Sequence, residues 1–163
     1  MFFEPNNIAA QIVDAAFHIH VSLGPGLLES VYQHILAAEL KERGLHVQLQ
    51  RPIPILYRGL EFEIGFRADM VVEDMVIVEI KLVEAVHPVH KKQLLTYLRL
   101  ANKPLGLMIN FNVELIKDGI SRVANGLTGR KSDFTPRRQG AKLLNDQFRE
   151  LRRLLRKPII KGK

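Results

Sequence analysis

The order of patterns along the chain predicts an α/β or α+β domain built on a mixed sheet. Two stretches of helical periodicity come first, and a succession of strand-like runs follows. A third helical stretch then leads into a continuous apolar run, Pro104–Asn110, that reads as a buried strand. A helix set between two strands of one sheet packs as a crossover, which brings them side by side. The length of 163 residues suits one domain with a real core, and 47% hydrophobic with 25% charged residues is ordinary globular composition.

The first helix should be capped by Asn6 or Asn7, with Ile8, Ile12, Ala15, Ala16 and Ile19 on its apolar face. Gly24-Pro25-Gly26 should end it in a tight corner. A second helix from about Leu27 to Arg43 has Leu28, Val31, Ile35, Leu36 and Leu40 as its apolar stripe and Gly44 as its stop. Glu29 falls on its first turn, where the helix dipole favours a carboxylate. Leu45–Tyr57 reads as a strand whose Pro52 and Pro54 suit an edge or a bulge, and Arg58-Gly59 as a hairpin turn into Leu60–Phe66. Two central strands follow at about 67–73 and 75–82. Pro88 should open a third helix that ends near Ala101, with Val89, Leu94, Leu95, Leu98 and Leu100 inward. Asp118-Gly119 reads as a turn between two short strands.

The chemistry concentrates in Arg67–Lys81, RADMVVEDMVIVEIK. Alternation along a strand puts Glu79 and Lys81 on one face and Val78 and Ile80 on the other. If Glu73-Asp74 closes a hairpin, Asp69 returns beside the Glu79 strand. Two carboxylates and an ammonium then converge at the edge of an apolar sheet. Hard oxygen donors select Mg²⁺ or Mn²⁺. Such an ion polarises a phosphate and acidifies a bound water, and a lysine can neutralise charge developing on phosphoryl oxygens. The pattern therefore suits phosphodiester hydrolysis, although D-x9-E-x-K alone also describes a solvated strand face.

Composition removes other chemistries. The absence of cysteine excludes disulfides, thiolate metal sites and thiol catalysis. There is no G-x-S-x-G, P-loop or G-x-G-x-x-G. The opening MFFEPNN lacks the features of a signal peptide and no apolar run reaches transmembrane length, so a cytoplasmic location is expected. The net charge of +7 is uneven: residues 126–163 hold twelve Lys/Arg against three Asp/Glu, a net +9, which leaves −2 for residues 1–125. That asymmetry suits a polyanionic partner.

A polar stretch at 125–138 reads as a linker, so the expected organisation is a domain at 1–124, the linker, and a basic amphipathic helix and tail at 139–163. In that last segment Leu144, Phe148, Leu151 and Leu155 form a stripe opposite Arg149, Arg152, Arg153 and Arg156. The stripe fits docking on the domain or on a second copy, giving a homodimer, and the arginines fit a nucleic-acid backbone.

Gly26, Glu29 and Tyr32 satisfy G-x-x-E-x-x-Y, preceded by Leu23-Gly24-Pro25. With RAD at 67–69, VEIK at 78–81, QLLTY at 93–97 and INF at 109–111, residues 8–123 resemble the GxxExxY family of the PD-(D/E)xK nuclease superfamily. The resemblance implies a restriction-endonuclease-like core, a central sheet flanked by helices. It implies Asp69, Glu79 and the Ile80 carbonyl as ligands of Mg²⁺ or Mn²⁺, and Glu29 as the helix glutamate completing the acidic cluster. Lys81 is then the residue that orients water or stabilises the transition state. Gln93 and Tyr97 match a Q-x-x-x-Y element and share one helix face. Leu82 and Val21 depart from the usual pattern, though neither removes a catalytic group. His20 matches a frequent histidine and is expected to pack or hydrogen-bond. His87 and His90 are expected to be polar residues of the loop and helix start, and Asn110 a turn former. The function expected is a metal-dependent nuclease acting on DNA or RNA. The alternative is a non-catalytic nucleic-acid-binding or assembly module that keeps the fold.

Overall fold

The computed structural model describes residues 4–126. Helices α1 (Pro5–Leu23) and α2 (Glu29–Glu42) precede strands β1 (Val47–Tyr57), β2 (Leu60–Val72) and β3 (Val76–Lys81). Helix α3 (Pro88–Leu100), strand β4 (Leu105–Asn110), the single turn α4 (Ile116–Gly119) and strand β5 (Ile120–Ala124) complete the domain. The strands form one sheet in chain order, with β3 and β4 parallel and every other neighbouring pair antiparallel. The sheet is mixed, as expected, and α3 is the crossover between its two parallel strands.

The crossover helix lays Leu94, Tyr97 and Leu98 against Ile53, Ala68, Val71, Ile77 and Met108. Ile8, Ile12, Ala15, Ala16 and Ile19 of α1 are all buried, as their spacing predicts, and α1 and α2 pack on each other and on the sheet. Pro88 opens α3, where a His87–His90 capping box forms. Asn110, buried at the end of β4, accepts from the Val83 and Asn112 N–H groups and donates to the Val83 carbonyl at 2.8 Å. It is a turn former.

Strand β1 lies at the sheet edge and its pairing with β2 shifts between Ile53 and Ile55, so its two prolines occupy both kinds of place that tolerate a missing N–H. Ile53 pairs with Phe66 and Ile55 with Phe62, which sets Pro54 against three residues of β2. Gly65 sits in this bulge, where a Cβ would lie 2.1 Å from the Ile53 carbonyl oxygen. Backbone cannot yield there as a side-chain tip would. Gly65→Ala is expected to cost about 1–3 kcal/mol, an overpacking effect read as a lower urea midpoint with an unchanged m-value. At the hairpin tip, Arg58 and Gly59 both take positive φ (51° and 78°) between the paired Tyr57 and Leu60, the geometry of a two-residue turn that matches strand twist.

Several expectations need correction. Glu4, not Asn6 or Asn7, precedes α1, and no side chain caps it. Helix α2 begins at Glu29 and buries Tyr32, Gln33, Leu36, Ala37 and Leu40. Leu28 and Val31 are exposed, because stacking of Tyr32 on Phe111, with centroids 4.3 Å apart, fixes a helix rotation that the apolar stripe misjudged. Val89 and Leu100 are likewise exposed. The stretches Leu60–Phe66 and 67–73 are one strand, since the bulge absorbs the irregularity around Gly65 without breaking the pairing. Asp118-Gly119 ends the turn of helix α4, and only one strand, β5, adjoins it. The linker beyond Gly126, the basic helix and Arg149, Arg152, Arg153 and Arg156 lie outside the described residues.

Candidate active site

Strands β2 and β3 are joined through Glu73-Asp74-Met75, with Val72 paired to Val76. The turn is held from outside. Glu73 accepts from the His46 N–H at 2.6 Å, and Lys103, at 2.8 Å, joins Arg51 in holding the Asp74 carboxyl below the usual carboxylate range. This connection returns Asp69 beside Glu79, which meets the condition that the convergence of the two carboxylates depends on.

The β2–β3 ladder stops at Met70–Val78, one pair short of Asp69 and Glu79. Side chains take over the backbone groups left there. The Ile80 N–H donates to Asp69 Oδ2 at 2.9 Å, and the Asp69 N–H reaches Glu79 Oε1 at 3.4 Å. Gln33 Nε2, from α2, donates to the Asp69 carbonyl at 2.6 Å. Gln50 Nε2, from β1, lies 3.4 Å from Asp69 Oδ1, and Gln50 itself has a left-handed φ of 51°. A split between two strands, bridged by carboxylates, is what the local sequence builds.

The electrostatics follow from that split. Glu79 is 6% exposed, and burial followed by the nearby Asp69 charge pushes its carboxyl up to about 7. Lys81 Nζ, 3.4 Å from Glu79 Oε2, pulls in the opposite direction. Glu29, at the start of α2, feels the same groups. Partial desolvation raises its carboxyl, Lys81 lowers it and Asp69 raises it. Tyr97 from α3 is buried against Phe66, with centroids 4.4 Å apart. Burial and the Glu79 and Asp69 charges push its hydroxyl up to about 12, opposed by a side-chain hydrogen bond with Gln93. Glu29, Asp69, Glu79, Lys81 and Tyr97 are thus drawn into one electrostatic neighbourhood, with Ile80 present through its backbone and exposed Gln93 behind Tyr97.

A family model described as the PD-(D/E)XK nuclease superfamily matches residues 6–123. The chain belongs to that superfamily. Among curated proteins there is no match, and among solved structures there is none. In this PD-(D/E)XK domain, the G-x-x-E-x-x-Y segment is an anchored corner. The Tyr32 hydroxyl donates to the Gly24 carbonyl and accepts from the Leu27 N–H, and its ring stacks on Phe111. His20 stacks on the other member of that pair, Phe111, and reaches the Val113 carbonyl at 2.8 Å, so it packs and hydrogen-bonds as expected. Fixing this corner fixes where α2 starts, and therefore where Glu29 stands.

The donor set at this split suits a hard divalent cation. Asp69 and Glu79 are two carboxylates whose mutual repulsion helps to raise Glu79, a condition that a bound cation relieves. Among the described residues no three His, Asp or Glu side chains are grouped closely enough to hold a metal by themselves. Mg²⁺ commonly takes one or two carboxylates and keeps several waters, so a pair assisted by backbone oxygen fits it better than a closed cage would. Sequence reading missed Gln33 and Gln50. Gln33 had a usable signal, as a polar residue one turn beyond Glu29 within a face that proves to be buried. Gln50 had none, because a glutamine in an edge strand is unremarkable.

Proposed function

We propose that the domain is a divalent-metal-dependent nuclease that hydrolyses phosphodiester bonds of DNA or RNA. The observation that carries this reading is the split between β2 and β3, where Asp69 and Glu79 face each other with Lys81 alongside, in a chain of the PD-(D/E)XK superfamily. Asp69, Glu79 and the Ile80 carbonyl would hold Mg²⁺ or Mn²⁺, with Glu29 contributing from α2 through water. The cation, when bound, would polarise the phosphate and lower the pKa of a coordinated water.

The protein's own groups supply the rest. Asp69 is held in place by the Ile80 N–H, which leaves carboxylate lone pairs for a ligand. Lys81 would place positive charge beside the reacting phosphate. Tyr97, its ionisation pushed up to about 12, is a neutral hydroxyl that can hydrogen-bond substrate or Lys81. Gln93 would orient that hydroxyl. Nucleic acid is the proposed partner, and the net +9 of residues 126–163, with Arg149, Arg152, Arg153 and Arg156, supports it. Among the described residues no helix is long and apolar enough to cross a membrane.

The test is cleavage of labelled linear duplex, circular DNA, single-stranded DNA and RNA with Mg²⁺ or Mn²⁺, using wild type, Asp69→Ala and a chelator control. Wild type should cut at least one substrate, and both the chelator and Asp69→Ala should reduce cutting to background. Absence of cutting with binding retained in chelator would replace the enzyme by a non-catalytic binding module. Cutting that survives Asp69→Ala would place the chemistry elsewhere.

A further inference from the structure

We propose that Gln33 is a positioning residue that aims the Asp69 carboxylate by holding the Asp69 carbonyl where the β1 ladder skips it. Backbone groups alternate along β2: the Val72 carbonyl accepts from the Met75 N–H on the β3 side and the Glu73 N–H donates to the His46 carbonyl on the β1 side, so the Asp69 N–H and carbonyl face β1. There the β1 pairing passes from Leu49–Met70 to Arg51–Ala68 and skips Gln50, whose φ is left-handed, so the Asp69 N–H turns to Glu79 Oε1 and its carbonyl is left out of the ladder. Gln33 supplies the missing donor from a different element, at 2.6 Å.

Burial sharpens the point. Gln33 is 5% exposed and is the one polar member of the buried face of α2, between Tyr32 and Leu36. An amide is costly to bury unless it is hydrogen-bonded, so its place among apolar side chains needs a partner, and the Asp69 carbonyl is that partner. The bond fixes the Asp69 peptide from the α2 side while the Ile80 N–H fixes the carboxylate from the β3 side. Glu29 and Gln33 are one helical turn apart, so one short stretch of α2 serves the site twice. Partners that orient a ligand without touching the metal commonly change affinity by about 10–100-fold when removed.

The consequence for metal binding rests on the reading of Asp69 as a ligand, but the positioning itself can be measured without metal. Amide hydrogen exchange by NMR on the full chain, metal-free, would compare wild type with Gln33→Met and Gln33→Leu, which keep side-chain bulk and lose the donor. The Ile80 amide should exchange about tenfold faster in the variants, because its acceptor is no longer held, while the Val78 and Met108 amides keep wild-type protection. Calorimetric titration with Mn²⁺ should show affinity weakened about 10–100-fold. Wild-type protection at Ile80 in a folded variant would overturn the proposal. So would uniform loosening of the ladder amides, or loss of fold in both variants, since either makes Gln33 a core residue only. Failure of wild type to bind Mn²⁺ would instead overturn the nuclease reading, and Ile80 exchange would still decide the role of Gln33.

Discussion

Glu79→Gln is expected to stabilise the metal-free protein above neutral pH and to abolish cutting. Glu79 has a folded-state carboxyl raised from an ordinary 4.5 to about 7, first by burial and then by Asp69. A group raised in the folded state contributes stability that is complete below its unfolded value and disappears as pH rises through its folded value. The loss therefore runs from about pH 4.5 to about 7, and by pH 8 it amounts to about 3 kcal/mol. A glutamine is neutral at every pH and still offers an oxygen to the Asp69 N–H, so it escapes this loss. It gives up the contact with Lys81, which offsets part of the gain. The melting temperature of the variant should exceed that of wild type by about 5–10 °C at pH 8 and match it near pH 4.5. Mg²⁺ should raise the wild-type melting temperature at pH 8 and leave that of the variant unchanged, since the cation needs the ionised ligand. A difference between the two proteins that does not vary with pH would show that Glu79 is not held protonated by its surroundings. On the proposed function, destabilisation that a bound cation relieves would be the trade expected of a catalytic carboxylate pair.

The legibility of this site in the sequence has a physical limit that particular residues mark. Asp69, Glu79 and Lys81 were readable because two local rules place them: side chains alternate along a strand, and a short turn returns the chain upon itself. Both rules act over a few residues, and the structure has the strands where they put them. The same locality explains the prolines of β1, which signalled an edge and a bulge, and the Arg58-Gly59 turn. Errors arose where a distant partner decides. The rotation of α2 is fixed by the ring of Phe111, far along the chain, so the local pattern points Leu28 and Val31 inward while the fold buries Tyr32 and Gln33. The bulge at Gly65 keeps β2 continuous across a pattern that reads as two strands. Gln50 and Gln33 matter only because the ladder opens at Asp69, and no local pattern announces where a ladder stops.

Lys81→Ala separates two roles that a loss of activity alone would merge. Lys81 Nζ lies 3.4 Å from Glu79 Oε2, and its charge opposes the burial and repulsion that raise Glu79. Removing it should carry Glu79 further above 7. Because a cation binds the ionised carboxylate, cutting should rise with pH as Glu79 ionises, and in Lys81→Ala that limb should move to higher pH. A lysine that also neutralises charge on the reacting phosphate contributes on the plateau above the limb, where Glu79 is ionised in both proteins. There the rate should fall by about 10²–10³, the usual loss when one positioned donor to developing charge is removed. The measurement is the pH–rate profile of both proteins at one fixed, subsaturating Mg²⁺ concentration for the limb, with the plateau rate taken at high pH and saturating Mg²⁺. A displaced limb with full recovery on the plateau would reduce Lys81 to an electrostatic partner of Glu79. A lower plateau with an unmoved limb would break the coupling that their 3.4 Å contact implies. Both changes together are expected, because the strand that puts Lys81 on the same face as Glu79 also puts it beside a cation held by Glu79, within reach of a phosphate on that cation.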